Sequence, residues 1–73
     1  NFSEYVTNCR LEKALEILKT EEDITIVEIA KRLGYETPSY FTRIFKEKYN
    51  ITPVMYRKRY FASLNSINDE SQQ

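Results

Sequence analysis

The segment Ile26–Arg57, IVEIAKRLGYETPSYFTRIFKEKYNITPVMYR, decides the fold. Thr25, just ahead of it, stands three residues before Glu28 in the spacing of a capping box. Ile26, Ile29, Ala30 and Leu33 then give a short helix a single apolar stripe. Gly34 ends that helix after about two turns. Past the turn Gly34 to Glu36, Thr37 caps a further helix whose first residue is Pro38, a position where the missing N–H costs nothing. That helix is expected to run to about Tyr49 and to close on Asn50, which after Gly is the residue that most readily takes a left-handed conformation. Thr52 and Pro53 restart a closing helix from the same kind of cap, expected over residues 53–62, with Tyr56 and Tyr60 one turn apart.

The helix opened by Pro38 has two unlike faces. Phe41, Ile44, Phe45 and Tyr49 share one arc and are expected to pack on Ile29, Ala30 and Leu33. The opposite arc carries Ser39, Thr42, Arg43 and Lys46, a set of donors with one planar guanidinium, suited to base edges and phosphates. Lys48 falls within the apolar arc and is expected to lay its stem along the core edge while its ammonium reaches water. A short helix, a turn containing Gly and a longer amphipathic helix fit a helix-turn-helix. The pattern fits a small helical bundle with a solvated polar face equally well.

Upstream, residues 3–20 read as a long first helix without Gly or Pro, with Ser3 as its expected N-cap and Val6, Leu11, Ala14, Leu15, Ile17 and Leu18 on one broad arc. An acidic loop, Glu21 to Asp23, follows. Downstream, residues 65–73 are polar and are expected to form a disordered tail, although Phe61, Leu64 and Ile67 keep a threefold spacing that suits a longer helix. The expectation is one all-α unit.

Composition narrows the function. A chain of 73 residues buries only about 60% of its unfolded surface, so its core must be thin, and ten Phe and Tyr residues suit it to be aromatic. The absence of His removes the commonest general base, and a single Cys offers neither an internal disulfide nor a zinc site. The reading is a non-enzyme without cofactor or metal. No apolar run approaches the roughly 20 residues of a membrane span, which points to a cytoplasmic protein without membrane contact. Net charge is zero, but it is segregated. Lys31, Arg32, Arg43, Lys46, Lys48, Arg57, Lys58 and Arg59 face only Glu36 and Glu47 between Lys31 and Arg59, the kind of basic segment a phosphate-binding surface requires.

The wording of Ile26–Arg57 resembles the second helix-turn-helix of the AraC/XylS family. That family has an I-x-x-I-A core, then G-[FY], a Y-F-x-R-x-F-K helix and a closing P-x-x-Y-R. Here these are Ile26, Ile29 and Ala30; Gly34 and Tyr35; Tyr40, Phe41, Arg43, Phe45 and Lys46; and Pro53, Tyr56 and Arg57. Phe2, Tyr5, Arg10, Leu11, Ala14 and Leu18 look like the family's linker helix, so the likeness covers roughly residues 2 to 60. Asn50 departs from the family's usual Gly.

The resemblance implies a homeodomain-like helical unit behind a long linker helix, within a partial AraC-type DNA-binding domain at residues 1–64 (linker helix 3–20, helix-turn-helix 25–49, closing helix 53–62). The family's first helix-turn-helix has no counterpart here, so a longer regulator with that unit and an upstream regulatory domain is expected. The function implied is sequence-specific binding of double-stranded promoter or operator DNA, with recognition helix 38–49 in the major groove. Pro38, Ser39, Thr42 and Arg43 are the expected base contacts; Thr37, Tyr40 and Lys46 the expected phosphate contacts. Thr37 is equally well explained as a pure N-cap. Arg57 is expected to tie the last helix to the domain body, and Tyr5 with Cys9 to face the absent first unit. The alternative function is a helical protein-interaction module whose basic face docks an acidic partner or the regulator's own other domain.

Overall fold

The computed structural model describes the backbone of residues 1–71 and the side chains of residues 1–65. Four helices follow one another: α1 Phe2–Thr20, α2 Ile26–Arg32, α3 Pro38–Tyr49 and α4 Pro53–Ser71. Among the described residues there is no strand.

Each helix starts where a side-chain oxygen takes over an amide that the helix leaves unpaired. The caps of α2 and α3 are Thr25, whose Oγ1 accepts from the Glu28 amide at 3.1 Å, and Thr37, whose Oγ1 accepts from the Tyr40 amide at 3.3 Å. Thr52 does the same for Met55 at 3.2 Å. α1 departs from expectation. Its cap is Asn1, which accepts from the amides of Ser3 at 2.8 Å and Glu4 at 3.4 Å, so Ser3 lies inside the helix. Asn caps about as well as Ser, and the earlier cap extends the helix backwards. The capping box of α2 is only half formed. The Glu28 carboxylate lies 3.9 Å from Arg32 Nε instead of reaching back to the Thr25 amide.

The turn between α2 and α3 closes as a Schellman motif. The Gly34 amide donates to the Lys31 carbonyl and the Tyr35 amide to the Ala30 carbonyl, with Gly34 at φ 90°. α3 ends on Asn50 at φ 60°, ψ 23°, its amide donating to the Lys46 carbonyl at 2.7 Å. These two residues are the only ones with positive φ among those described.

The core gathers Leu11, Ala14, Ile17 and Leu18 of α1, Ile29 and Ala30 of α2, Leu33 and Tyr35 of the turn, and Phe41 and Phe45 of α3. Phe41 and Phe45 are fully buried, as is Pro53 at the start of α4. Phe45 is the hub: its ring lies 5.9 Å from Phe41, 4.8 Å from Tyr49 and 6.1 Å from Tyr56, all tilted or edge-on. Arg57 fastens α4 to the loop after α1, its Nη1 donating to the Ile24 carbonyl.

α4 is longer than the closing helix expected over 53–62. Its backbone stays helical to Ser71, through most of the stretch expected as a disordered tail. No Gly or Pro follows Pro53 to break it. Residues 72 and 73 lie outside the described residues.

Candidate nucleic-acid interface

α3 is backed by the core through Phe41 and Phe45 and turns its other side to solvent. Along that side Ser39, Arg43 and Lys46 are exposed and Thr42 is half-buried. Their spacing of three and four residues stacks them on one face of a 12-residue helix, about 18 Å long. At its N-terminus stand Thr37, exposed, and Pro38, half-buried. Tyr40 is 46% exposed despite its large ring. The structure thus brings all seven sequence-predicted residues, Thr37, Pro38, Ser39, Tyr40, Thr42, Arg43 and Lys46, onto or beside one surface of α3.

Thr37 has a defined local duty. Its hydroxyl oxygen is occupied by the Tyr40 amide, which leaves its O–H as a spare donor at the end of α3 where the helix dipole is positive. Pro38 contributes a fixed φ and no donor.

The basic segment does not form one continuous free surface. Arg32 pairs with Glu21 at 2.9 Å as well as lying near Glu28, closing α2 onto the acidic loop after α1. Lys48 donates from Nζ to Asn8 Oδ1 at 2.6 Å, bolting the end of α3 to α1, and Arg57 is held by Ile24. Among the described residues Lys31, Arg43, Lys46, Lys58 and Arg59 have no carboxylate partner. Arg43 and Lys46 are the two of these on α3.

One contributor carries no assigned role in the sequence reading beyond a family match. Arg10 of α1 is half-buried and lays its guanidinium over the Tyr35 ring, 5.2 Å from the centroid. The same guanidinium covers Gly34, where an added Cβ would lie 3.4 Å from Arg10 Nη2. A basic residue next to the core position Leu11 was the available signal, but its partner is 25 residues away. Tyr5 and Cys9, singled out on α1, are both exposed and one turn apart; Cys9 raises the Tyr5 phenol above its ordinary value, first by hydrogen bonding.

Among the described residues no cluster of His, Cys, Asp and Glu is arranged to hold a metal, and no helix is long and apolar enough to cross a membrane. The surface offers donors, one guanidinium and one ammonium on a rigid helix.

A family model described as a helix-turn-helix domain matches residues 1–59. The transcriptional regulatory protein YesN of Bacillus subtilis (strain 168) is 39% identical over 59 residues, 80% of this chain and 16% of its own length. Histidine kinase P4 of Formosa agariphila is 36% identical over 58 residues, 80% of this chain and 4% of its own length. The probable transcription factor PqrA of Proteus vulgaris is 42% identical over 55 residues, 75% of this chain and 44% of its own length. The chain therefore spans less than half the length of each of these relatives. No solved structure matches. With the family model covering most of the chain, and the capped short helix, Gly turn and amphipathic α3 in place, the chain belongs to the AraC-type family of helix-turn-helix domains, non-enzymatic DNA-binding domains of transcription regulation.

Proposed function

We propose that this domain binds double-stranded promoter or operator DNA sequence-specifically, with α3 in the major groove. The observation that carries the reading is the outer face of α3: Ser39, Arg43 and Lys46 exposed in a row, with an N-terminus capped by Thr37 and no acidic residue in its first turn. B-DNA's major groove is about 12 Å wide and admits one helix, N-terminal end foremost in this motif. Arg43 grips two acceptors of one base, for instance guanine O6 and N7, while Ser39, Thr42 and the edge of Pro38 contact neighbouring base edges. Thr37, the Tyr40 hydroxyl and Lys46 reach phosphates on either side.

The domain acts as part of a longer cytoplasmic regulator in which another helix-turn-helix and a regulatory domain supply the remaining affinity and control. The several-fold greater length of the relatives supports that arrangement.

The deciding experiment compares Arg43→Ala with Lys46→Ala in the full-length protein, by competition binding against single-base variants of its operator. Arg43→Ala is expected to cost about 1 to 3 kcal/mol on the cognate site and relax preference at one base-pair position. Lys46→Ala is expected to weaken cognate and random DNA alike and to lower the log K against log salt slope by about 1. An unchanged base preference for Arg43→Ala removes it as a base reader. Loss of all sequence preference in the wild type, with only salt-sensitive binding left, favours the protein-docking alternative.

A further inference from the structure

Arg43 does not hang free from α3. Its Cζ lies 5.2 Å from the centroid of the Tyr40 ring, one turn back on the same face and within the range of a cation–π contact. The Tyr40 ring is itself buttressed. It lies 5.8 Å from the ring of Tyr35, which is buried, stacked on Phe41 at 5.8 Å and 26°, and covered on α1's side by the Arg10 guanidinium. The sequence of contacts Arg10, Tyr35, Tyr40, Arg43 thus runs from the long first helix, through the helix-turn-helix turn, to the outer face of α3.

From this geometry we propose that the ring of Tyr40 is a positioning residue for base recognition: a platform that holds the Arg43 guanidinium in its reading direction before DNA arrives. The proposal rests on Arg43 being the base reader. A cation–π contact with the ring uses the charge of the guanidinium rather than its N–H donors, and no Arg43 donor is taken by a partner among the described residues, so its fork stays free to meet a base edge. Arg32 is the contrast within the chain. Its guanidinium donates to Glu21 and lies in ion-pair range of Glu28, so its charge is spent on the fold. An arginine pinned by the ring loses less rotamer freedom on binding than one swinging on its stem, and that saving appears as affinity for the correct base.

The role assigned to the ring is separable from any contact made by the Tyr40 hydroxyl. Tyr40→Phe keeps the platform and removes the hydroxyl; Tyr40→Leu removes the platform and keeps apolar bulk against Tyr35. NMR of the free protein reads the platform directly. The Arg43 side-chain protons should be shifted upfield by the ring in the wild type and in Tyr40→Phe, and return to ordinary positions in Tyr40→Leu. In competition binding with the full-length protein, Tyr40→Leu should lose about 2- to 5-fold in preference at the base pair that Arg43→Ala identifies, with Tyr40→Phe retaining it. Unshifted Arg43 signals in the wild type overturn the proposal. So does a Tyr40→Phe variant that loses base preference as fully as Tyr40→Leu, since the hydroxyl would then carry the effect. If Arg43→Ala leaves base preference unchanged, the base-reader assignment fails by itself, while the NMR result still decides whether Tyr40 holds Arg43.

Discussion

Gly34→Ala tests the turn that sets α3 against α2. At φ 90°, Gly34 lies beyond the small left-handed region, roughly φ +50° to +70°, open to residues with a side chain. A left-handed conformation costs an L-residue about 1 to 2 kcal/mol even in its best form; outside that well the cost lies toward the upper end of the roughly 1 to 3 kcal/mol of a strained backbone, and stiffening of the unfolded chain by Ala returns only about 0.4 to 1. The added methyl meets Arg10 Nη2 at 3.4 Å and Cζ at 3.5 Å, ordinary contact with the end of a flexible side chain, so backbone strain dominates over collision. The expected net loss is about 1 to 2 kcal/mol, against a total of about 4 to 11 kcal/mol for a chain of 73 residues. The variant should therefore fold, with a melting temperature lowered by about 4 to 16 °C and an unchanged urea m-value, followed by circular dichroism. Arg10→Ala separates the two causes. If strain dominates, the double mutant is additive to within about 0.5 kcal/mol; if collision dominates, removing Arg10 rescues Gly34→Ala. A loss below about 0.5 kcal/mol, or such a rescue, refutes the reasoning. Asn50→Gly is the internal control, expected to change stability by no more than about 0.5 kcal/mol because Asn50 already sits at φ 60°, within the allowed region.

Phe45→Ala empties the hub of the aromatic cluster and should cost about 3 to 5 kcal/mol, enough to abolish a cooperative transition if the wild type lies at the low end of its range. A near-native denaturation midpoint would show that the cluster is not the centre of the fold. Arg57→Ala removes a charge-assisted hydrogen bond to the Ile24 carbonyl and should cost about 1 to 3 kcal/mol, with the salt slope of DNA binding unchanged, in contrast to Lys46→Ala. Tyr49 tests pH dependence. Burial first, then Glu12 and Tyr56, raise its phenol above the ordinary 10.0, and its hydroxyl has no hydrogen-bond partner among the described residues. The fold favours the neutral phenol, so that contribution is fully present below about pH 10 and is lost as pH rises through the raised folded value. Tyr49→Phe should remove this alkaline loss, measured by denaturation across the alkaline range, without weakening the protein at neutral pH. A wild-type-like alkaline loss in that variant would assign it to another group.

The sequence by itself was enough to find α2, the Gly34 turn and α3, because their signals are local. Thr25, Thr37 and Thr52 cap by reaching amides three residues on; Gly34 and Asn50 close helices through their own φ; and the apolar period of Phe41, Ile44, Phe45 and Tyr49 assigns a face without reference to any other element. The polar arc of α3 was legible for the same reason. What tertiary structure decided is which charges remain available. Arg32, Lys48 and Arg57 read in sequence as parts of one basic segment, yet each commits a donor to a partner 11 to 40 residues away, at the Glu21 carboxylate, the Asn8 amide oxygen and the Ile24 carbonyl; the first contact pairs charge, and the other two fix where a cation stands. The cation–π contact of Arg10 with Tyr35 likewise depends on how α1 crosses the turn, a geometry that no spacing along the chain encodes. α4 runs past residue 62 because polar composition argues against a packed core there, not against a helical backbone: no Gly or Pro interrupts it after Pro53, and adding a residue to a formed helix costs far less than nucleating one. Caps and periods are properties of a few neighbouring residues and can be read in order; charge pairing and stacking depend on which surfaces the packed core brings together.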